Sequence, residues 1–137
     1  PSQLGFYAID MAWVALRTER PVEKRSYRGV AEQFVHNMID SGSTNPWRYY
    51  VEARLATLDG RENDAINAFS RAIDAGWRWI NKYQAPLPDG LRNNPGYQAQ
   101  LSRHHDLIMA ERQEIQAMLC GPDTILTTWE PAPETCL

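Results

Sequence analysis

The side chains best suited to chemistry in this 137-residue chain stand in four places. His104, His105 and Asp106 put two imidazoles beside a carboxylate, the raw material of a metal site or an acid–base pair. Adjacent residues of a helix project about 100° apart, so the two histidines cannot face one ion, and the position one turn beyond His104 is the apolar Ile108. No metal site is therefore expected. His104 falls on the apolar seam of its helix, where it reads as a core or interface histidine and as a candidate pH sensor, since imidazole titrates near neutrality. Cys120 and Cys136 are too few for a disulfide scaffold and lack zinc spacing, but Gly121, Pro122, Pro131 and Pro133 between them let the chain loop back. They form a candidate disulfide in an oxidising compartment and two separate thiols in a reducing one. Trp77, Trp79 and Tyr83 form the densest aromatic patch, either a ligand box or, as expected here, a hydrophobic plug between helices. Arg17, Arg20, Lys24, Arg25 and Arg28 gather five of the 14 cations within 12 residues, offset by Glu19 and Glu23. That run fits a solvated turn better than a patch for an acidic partner or lipid head groups. There is no glycine-rich phosphate loop, no prominent carboxylate pair and no base at a defensible spacing from Cys120, so neither an enzyme nor a cofactor is expected.

Composition narrows the classes further. With 17 acids against 14 bases the formal net charge is -3, which lacks the positive footprint of nucleic-acid binding; no direct contact with nucleic acid is expected. No apolar run approaches the roughly 20 residues of a membrane span. The chain starts at Pro1-Ser2 without an initiator Met and reads as an excised piece of a longer protein or a processed product.

Strand signals are nearly absent, and the pattern predicts an all-α protein. A first helix is expected from Gln3 to Arg17 with Leu4, Tyr7, Met11, Val14 and Ala15 on its inward face. A second runs from Val22 or Ser26 to Ile39 behind an interruption at Pro21, with Val30, Phe34, Val35 and Met38 inward. Asn45-Pro46 announces a third, an N-cap followed by the residue whose missing amide hydrogen costs nothing there, and Asp59-Gly60 ends it. A fourth spans Glu62 to Ala75, with Ala65, Ile66, Phe69, Ala72 and Ile73 inward and Gly76 after its end. Residues 77–93 predict a short helical turn and an ordered connector. Asn94-Pro95 then opens the longest helix, Gly96 to Leu119, with Tyr97, Leu101, His104, Ile108, Ile115 and Met118 or Leu119 as its seam. A proline-rich tail fills 120–137.

With Pro46 as the first position of a 34-residue unit, Ala53, Ala65 and Ala72 fall at positions 8, 20 and 27, Gly60 at 15 and Phe69 at 24. The segment resembles a tetratricopeptide repeat (TPR), with Tyr49 where Trp is common, Ala56 in place of a large aromatic, and Trp77 following Gly76 in place of the usual proline. The match covers 46–76; residues 1–40 are a divergent helix pair or cap. Downstream, Ala75-Gly76-Trp77-Arg78 and Leu91-Arg92-Asn93-Asn94-Pro95-Gly96-Tyr97 look like the C-terminal end of TPR arrays in bacterial membrane-tethered winged-helix transcriptional regulators and related signalling proteins. Gly96 and Tyr97 depart from the more usual Arg and Phe.

The resemblance implies antiparallel helical hairpins stacked as a short TPR-like superhelix over 1–119, closed by a capping helix at 94–119. It implies a peptide or partner protein bound on the concave face, where the unit places Trp47, Tyr50, Arg54 and Thr57. Two aromatics and a guanidinium at one-turn spacing suit such a groove; the competing reading packs Trp47 and Tyr50 on the preceding helix pair. The expected role is a non-catalytic interaction or sensory module of a larger bacterial regulator, on the extracytoplasmic side of a membrane or alternatively in the cytoplasm. Homo-oligomerisation through the long helix, as a homodimer, and a small catalytic domain are the alternatives.

Overall fold

The structure, a computed structural model, describes residues 4–78 and 91–120. Those residues form five helices and no strand, which makes the protein all-α: α1 (Leu4–Arg17), α2 (Pro21–Asp40), α3 (Pro46–Leu58), α4 (Glu62–Asp74) and α5 (Pro95–Cys120). None of these helices is long and apolar enough to cross a membrane. The chain divides into two compact units, Pro1–Gln100 and Leu101–Leu137, and the boundary falls inside α5.

Local chemistry sets where each helix starts. The Asn45 side chain accepts a hydrogen bond from the backbone N–H of Trp47 at 3.0 Å, with Pro46 in the first turn. Asn94 accepts from the N–H of Gly96 at 2.9 Å and also donates to Glu62 at 3.2 Å, which ties the start of α5 to the start of α4. Pro21 opens α2 rather than interrupting it, one residue before the earlier of the two expected starts, because a proline ring suits the first helical turn.

The first four helices leave by the same turn. A backbone N–H five residues on closes onto the last turn: Arg20 to Ala15, Ser43 to Met38, Arg61 to Ala56 and Trp77 to Ala72, all at 2.8–2.9 Å. This turn needs one residue in the left-handed region. Gly42, Gly60 and Gly76 supply it at φ 67°, 73° and 94°, whereas α1 uses Glu19 at φ 56°.

In the first unit α1 packs along α2 and α3 along α4, while α3 also meets α2 and, less extensively, α1. The shared core joins Ala8, Ile9 and Ala12 of α1, Ala31 and Val35 of α2, and Val51, Leu55 and Leu58 of α3, with Trp13, Tyr27 and Phe34 packed against it. Seven of the 13 residues of α3 are buried, so it is the most enclosed helix. α4 contributes Ala65, Ala68, Phe69, Ala72 and Ile73, and Tyr97 at the start of α5 sets its ring 5.7 Å from that of Phe69.

Three expected faces need correction. On α1 only Ala15 of the expected set is buried; Tyr7, Met11 and Val14 are exposed, and Ala8, Ile9 and Ala12 face inward instead. Three of the four residues on this inward side are alanines, where α1 packs along α2. The side chain of Leu4 lies outside the described residues. On α2 Val30 is 45% exposed, and Ala31 takes the place expected for it. On α5 Tyr97 and His104 are buried but Ile115 and Met118 are exposed. The connector from 79 to 90 and the tail also lie outside the described residues.

The turn after α1 carries a conformational cost that the other three avoid. A left-handed non-glycine residue costs roughly 1–2 kcal/mol, partly offset by the greater unfolded-state entropy of glycine. Glu19→Gly is therefore expected to stabilise the fold by about 0.5–1 kcal/mol, read as a higher urea midpoint by circular dichroism. Gly60→Ala is expected to cost about 1 kcal/mol for conformational reasons alone, since an added Cβ there meets nothing within 4 Å.

Candidate functional site

The four residues of the expected groove lie on α3, and their surroundings are largely internal. Tyr50 is buried and stacks on Trp77, with ring centroids 4.2 Å apart and planes 12° from parallel. Trp47 meets Trp77 edge-on at 4.5 Å and Tyr50 at 6.1 Å. The glycine turn after α4 thus delivers Trp77 onto the aromatic end of α3. Trp79 and Tyr83 lie outside the described residues. Arg54 is buried, and its guanidinium pairs with Asp10 of α1 at 2.5 Å while lying 5.9 Å from the Tyr50 ring. Burial raises the pKa of the Tyr50 phenol above its ordinary value even with this cation nearby. Thr57 is half-buried, and its hydroxyl donates to the Ala53 carbonyl at 2.8 Å.

The other candidates fall elsewhere. His104 is buried on the part of α5 that belongs to the second unit, and its neighbour His105 is exposed. Cys120 is the last residue of α5, while Cys136, its expected partner, lies outside the described residues. No group of three or more His, Cys, Asp or Glu that could hold a metal occurs among the described residues.

A separate feature opens between α2, α3 and α4. It is a groove of about 440 Å³ whose apolar lining comes from Val35, Ile39, Leu55, Ala56 and Ala68. None of Trp47, Tyr50, Arg54 or Thr57 lines it. Charged side chains line it as well. Glu52 takes Arg71 at 2.9 Å and Arg48 at 3.2 Å. Both guanidinium groups also lie over the Tyr49 ring, at 5.2 and 4.2 Å from its centroid, so four contacts hold this wall in place.

A second network holds Glu32 and Arg61, which line the same groove. Arg28 grips Asp59 with two bonds of 2.9 and 2.8 Å and donates a third, of 2.9 Å, to Glu32. Arg61 reaches Asp64 at 2.7 Å and Asp59 at 3.4 Å. The hydrogen bonds from Arg28 hold the Asp59 carboxyl below its ordinary range, and that same partnership raises the pKa of Arg28. Arg28 is thus a strut from α2 to the end of α3, unlike the solvated turn cation suggested by its neighbours in sequence. Arg28–Glu32 and Arg48–Glu52 are pairs one helical turn apart and could be read from spacing. Arg71–Glu52 and Arg28–Asp59 span 19 and 31 residues, which no local rule reaches.

No protein family, curated protein or solved structure matches this chain. Its own residues carry the functional reading.

Two measurements probe these joints. Because Arg54 is buried, Asp10→Ala leaves a cation without its carboxylate and is expected to cost about 1–3 kcal/mol in denaturant unfolding. Asp59 has a lowered folded-state pKa, so its contribution is complete above the unfolded carboxylate value near 3.8 and is lost as pH falls through the lower folded value. Asp59→Asn is expected to cost about 0.5–1 kcal/mol at neutral pH, with wild type and variant converging in acid. A gap that stays constant down to the acid transition would contradict this assignment.

Proposed function

We propose that this chain is a non-catalytic protein-interaction module that binds a peptide segment of a partner protein in the groove between α2, α3 and α4. The observation that carries this reading is the combination of an apolar floor with charged walls already locked by Arg71–Glu52 and Arg28–Glu32. An apolar floor takes one or two anchoring side chains, and fixed charges of both signs orient the rest at little further entropic cost. A volume near 440 Å³ is the right scale for such anchors. We further read the helix pairs as TPR-like, and the chain as the C-terminal part of a larger bacterial regulatory protein. The alanine spacing of 46–76 and the Asn-Pro start of α5 support that placement.

The test is selection of peptides from a random display library on the full chain, followed by fluorescence anisotropy on the enriched sequences. Saturable binding in the micromolar range is expected. Ile39→Glu, at an exposed groove position, should weaken it at least about tenfold, or 1.4 kcal/mol. Met11→Glu on α1 should leave it unchanged. Peptides that bind the Ile39→Glu chain as tightly as wild type would place the interaction elsewhere and defeat the reading.

A further inference from the structure

The charged lining of the groove is satisfied before anything enters it. Glu32, Glu52, Arg61, Asp64 and Arg71 each hold an ion pair within the chain. Two polar side chains of the lining do not: His36 of α2 and Asn67 of α4 are exposed and make no hydrogen bond with any described residue. α3 packs against both α2 and α4, so His36 and Asn67 stand on opposite walls, with Leu55 and Ala56 of α3 between them. Asn67 lies more than a turn from either end of α4 and caps nothing. Asparagine is a poor residue for a helix interior, and here no local bond compensates for it.

In the free chain water serves both groups. A segment laid along the apolar floor displaces that water, and each polar group it covers must find a new partner or carry the full penalty of desolvation. A helical segment offers none from its main chain, because its N–H and C=O groups are paired with one another. An extended segment leaves them free, with the N–H and C=O of one residue pointing to one edge and those of the next residue to the other. A carboxamide carries an acceptor oxygen and an NH2 donor side by side, the complement of one such edge. We propose, resting on the reading of this groove as a peptide site, that the peptide lies extended along it, with the N–H and C=O of one residue held by Asn67 and the opposite edge of the strand met by His36. Alternate side chains of the segment then point down to Val35, Leu55 and Ala68, and those between them point to solvent.

Peptides enriched on the full chain should therefore carry apolar residues at alternate positions, rather than three and four apart as in a helix. For the tightest of them, labelled with fluorescein, Asn67→Ala should raise the dissociation constant about five- to tenfold and His36→Ala about two- to threefold, both with an unchanged helical circular dichroism spectrum. Methylating the peptide's main-chain nitrogens one at a time should find a position where the loss is about fivefold or more in the wild type and absent in Asn67→Ala. Indifference to either substitution overturns that contact, as does a methylation series that costs the same in wild type and Asn67→Ala. Enriched sequences with helical spacing overturn the extended form. Either result, with binding still weakened by Ile39→Glu, leaves the groove as the peptide site, whereas binding indifferent to Ile39→Glu defeats both readings.

Discussion

Alanine fills the inward positions of the first four helices: Ala8, Ala12 and Ala15 on α1, Ala31 on α2, Ala53 and Ala56 on α3, and Ala65, Ala68 and Ala72 on α4, none more than 4% exposed. A methyl group is the largest side chain that lets two helix backbones lie at the close end of the usual 8–10 Å separation. The larger apolar side chains Ile9, Val35, Val51, Leu55 and Ile73 are buried alongside these alanines, while Tyr7, Met11 and Val14 stand outside. Enlarging any of these buried alanines is expected to overpack the interface, at about 1–3 kcal/mol each. The same constraint limits what the interface contributes, since a methyl group removes little apolar area from water.

Polar joints between the hairpins add to the apolar cluster that α1, α2 and α3 share. Arg54 and Asp10 link α3 to α1, and Arg28 with Asp59 links α2 to the residue that ends α3. The second joint depends on the turn at Gly60, because that left-handed residue fixes where Asp59 and Arg61 point. The aromatic set of Trp47, Tyr50 and Trp77 supplies area that the alanines cannot, and it does so at the N-terminal end of α3. Side chains whose types and spacing resemble a recognition groove are here engaged in holding α3 to its neighbours. The surface between α2 and α4, by contrast, sets fixed charges beside buried apolar residues.

What could be read from the sequence follows the range of each interaction. Helix starts at Asn45 and Asn94, and turns at Gly60 and Gly76, depend on residues within six positions of one another, and the residue types declare them. The alanine spacing of α3 and α4 was legible through the repeat pattern. The equivalent Ala8, Ala12 and Ala15 line of α1 was hidden by Tyr7, Met11 and Val14 on the opposite side, which present the larger apolar signal at nearly the same period. Hydrophobicity alone cannot tell which of two apolar faces is inward when closeness, and hence size, decides it. The charged walls of the groove were illegible for a different reason. Arg71 and Glu52, or Arg28 and Asp59, meet only after two helices have been set side by side.

On the proposed reading, the charges of the groove are locked before anything binds, so they would act on orientation and encounter rate more than on total affinity. The apolar lining of the groove, Val35, Leu55, Ala56 and Ala68, is at the same time part of the buried core. An anchoring side chain would therefore extend a packing that the helix interfaces already set, and a core substitution that shifts α2 against α4 would alter binding and stability together.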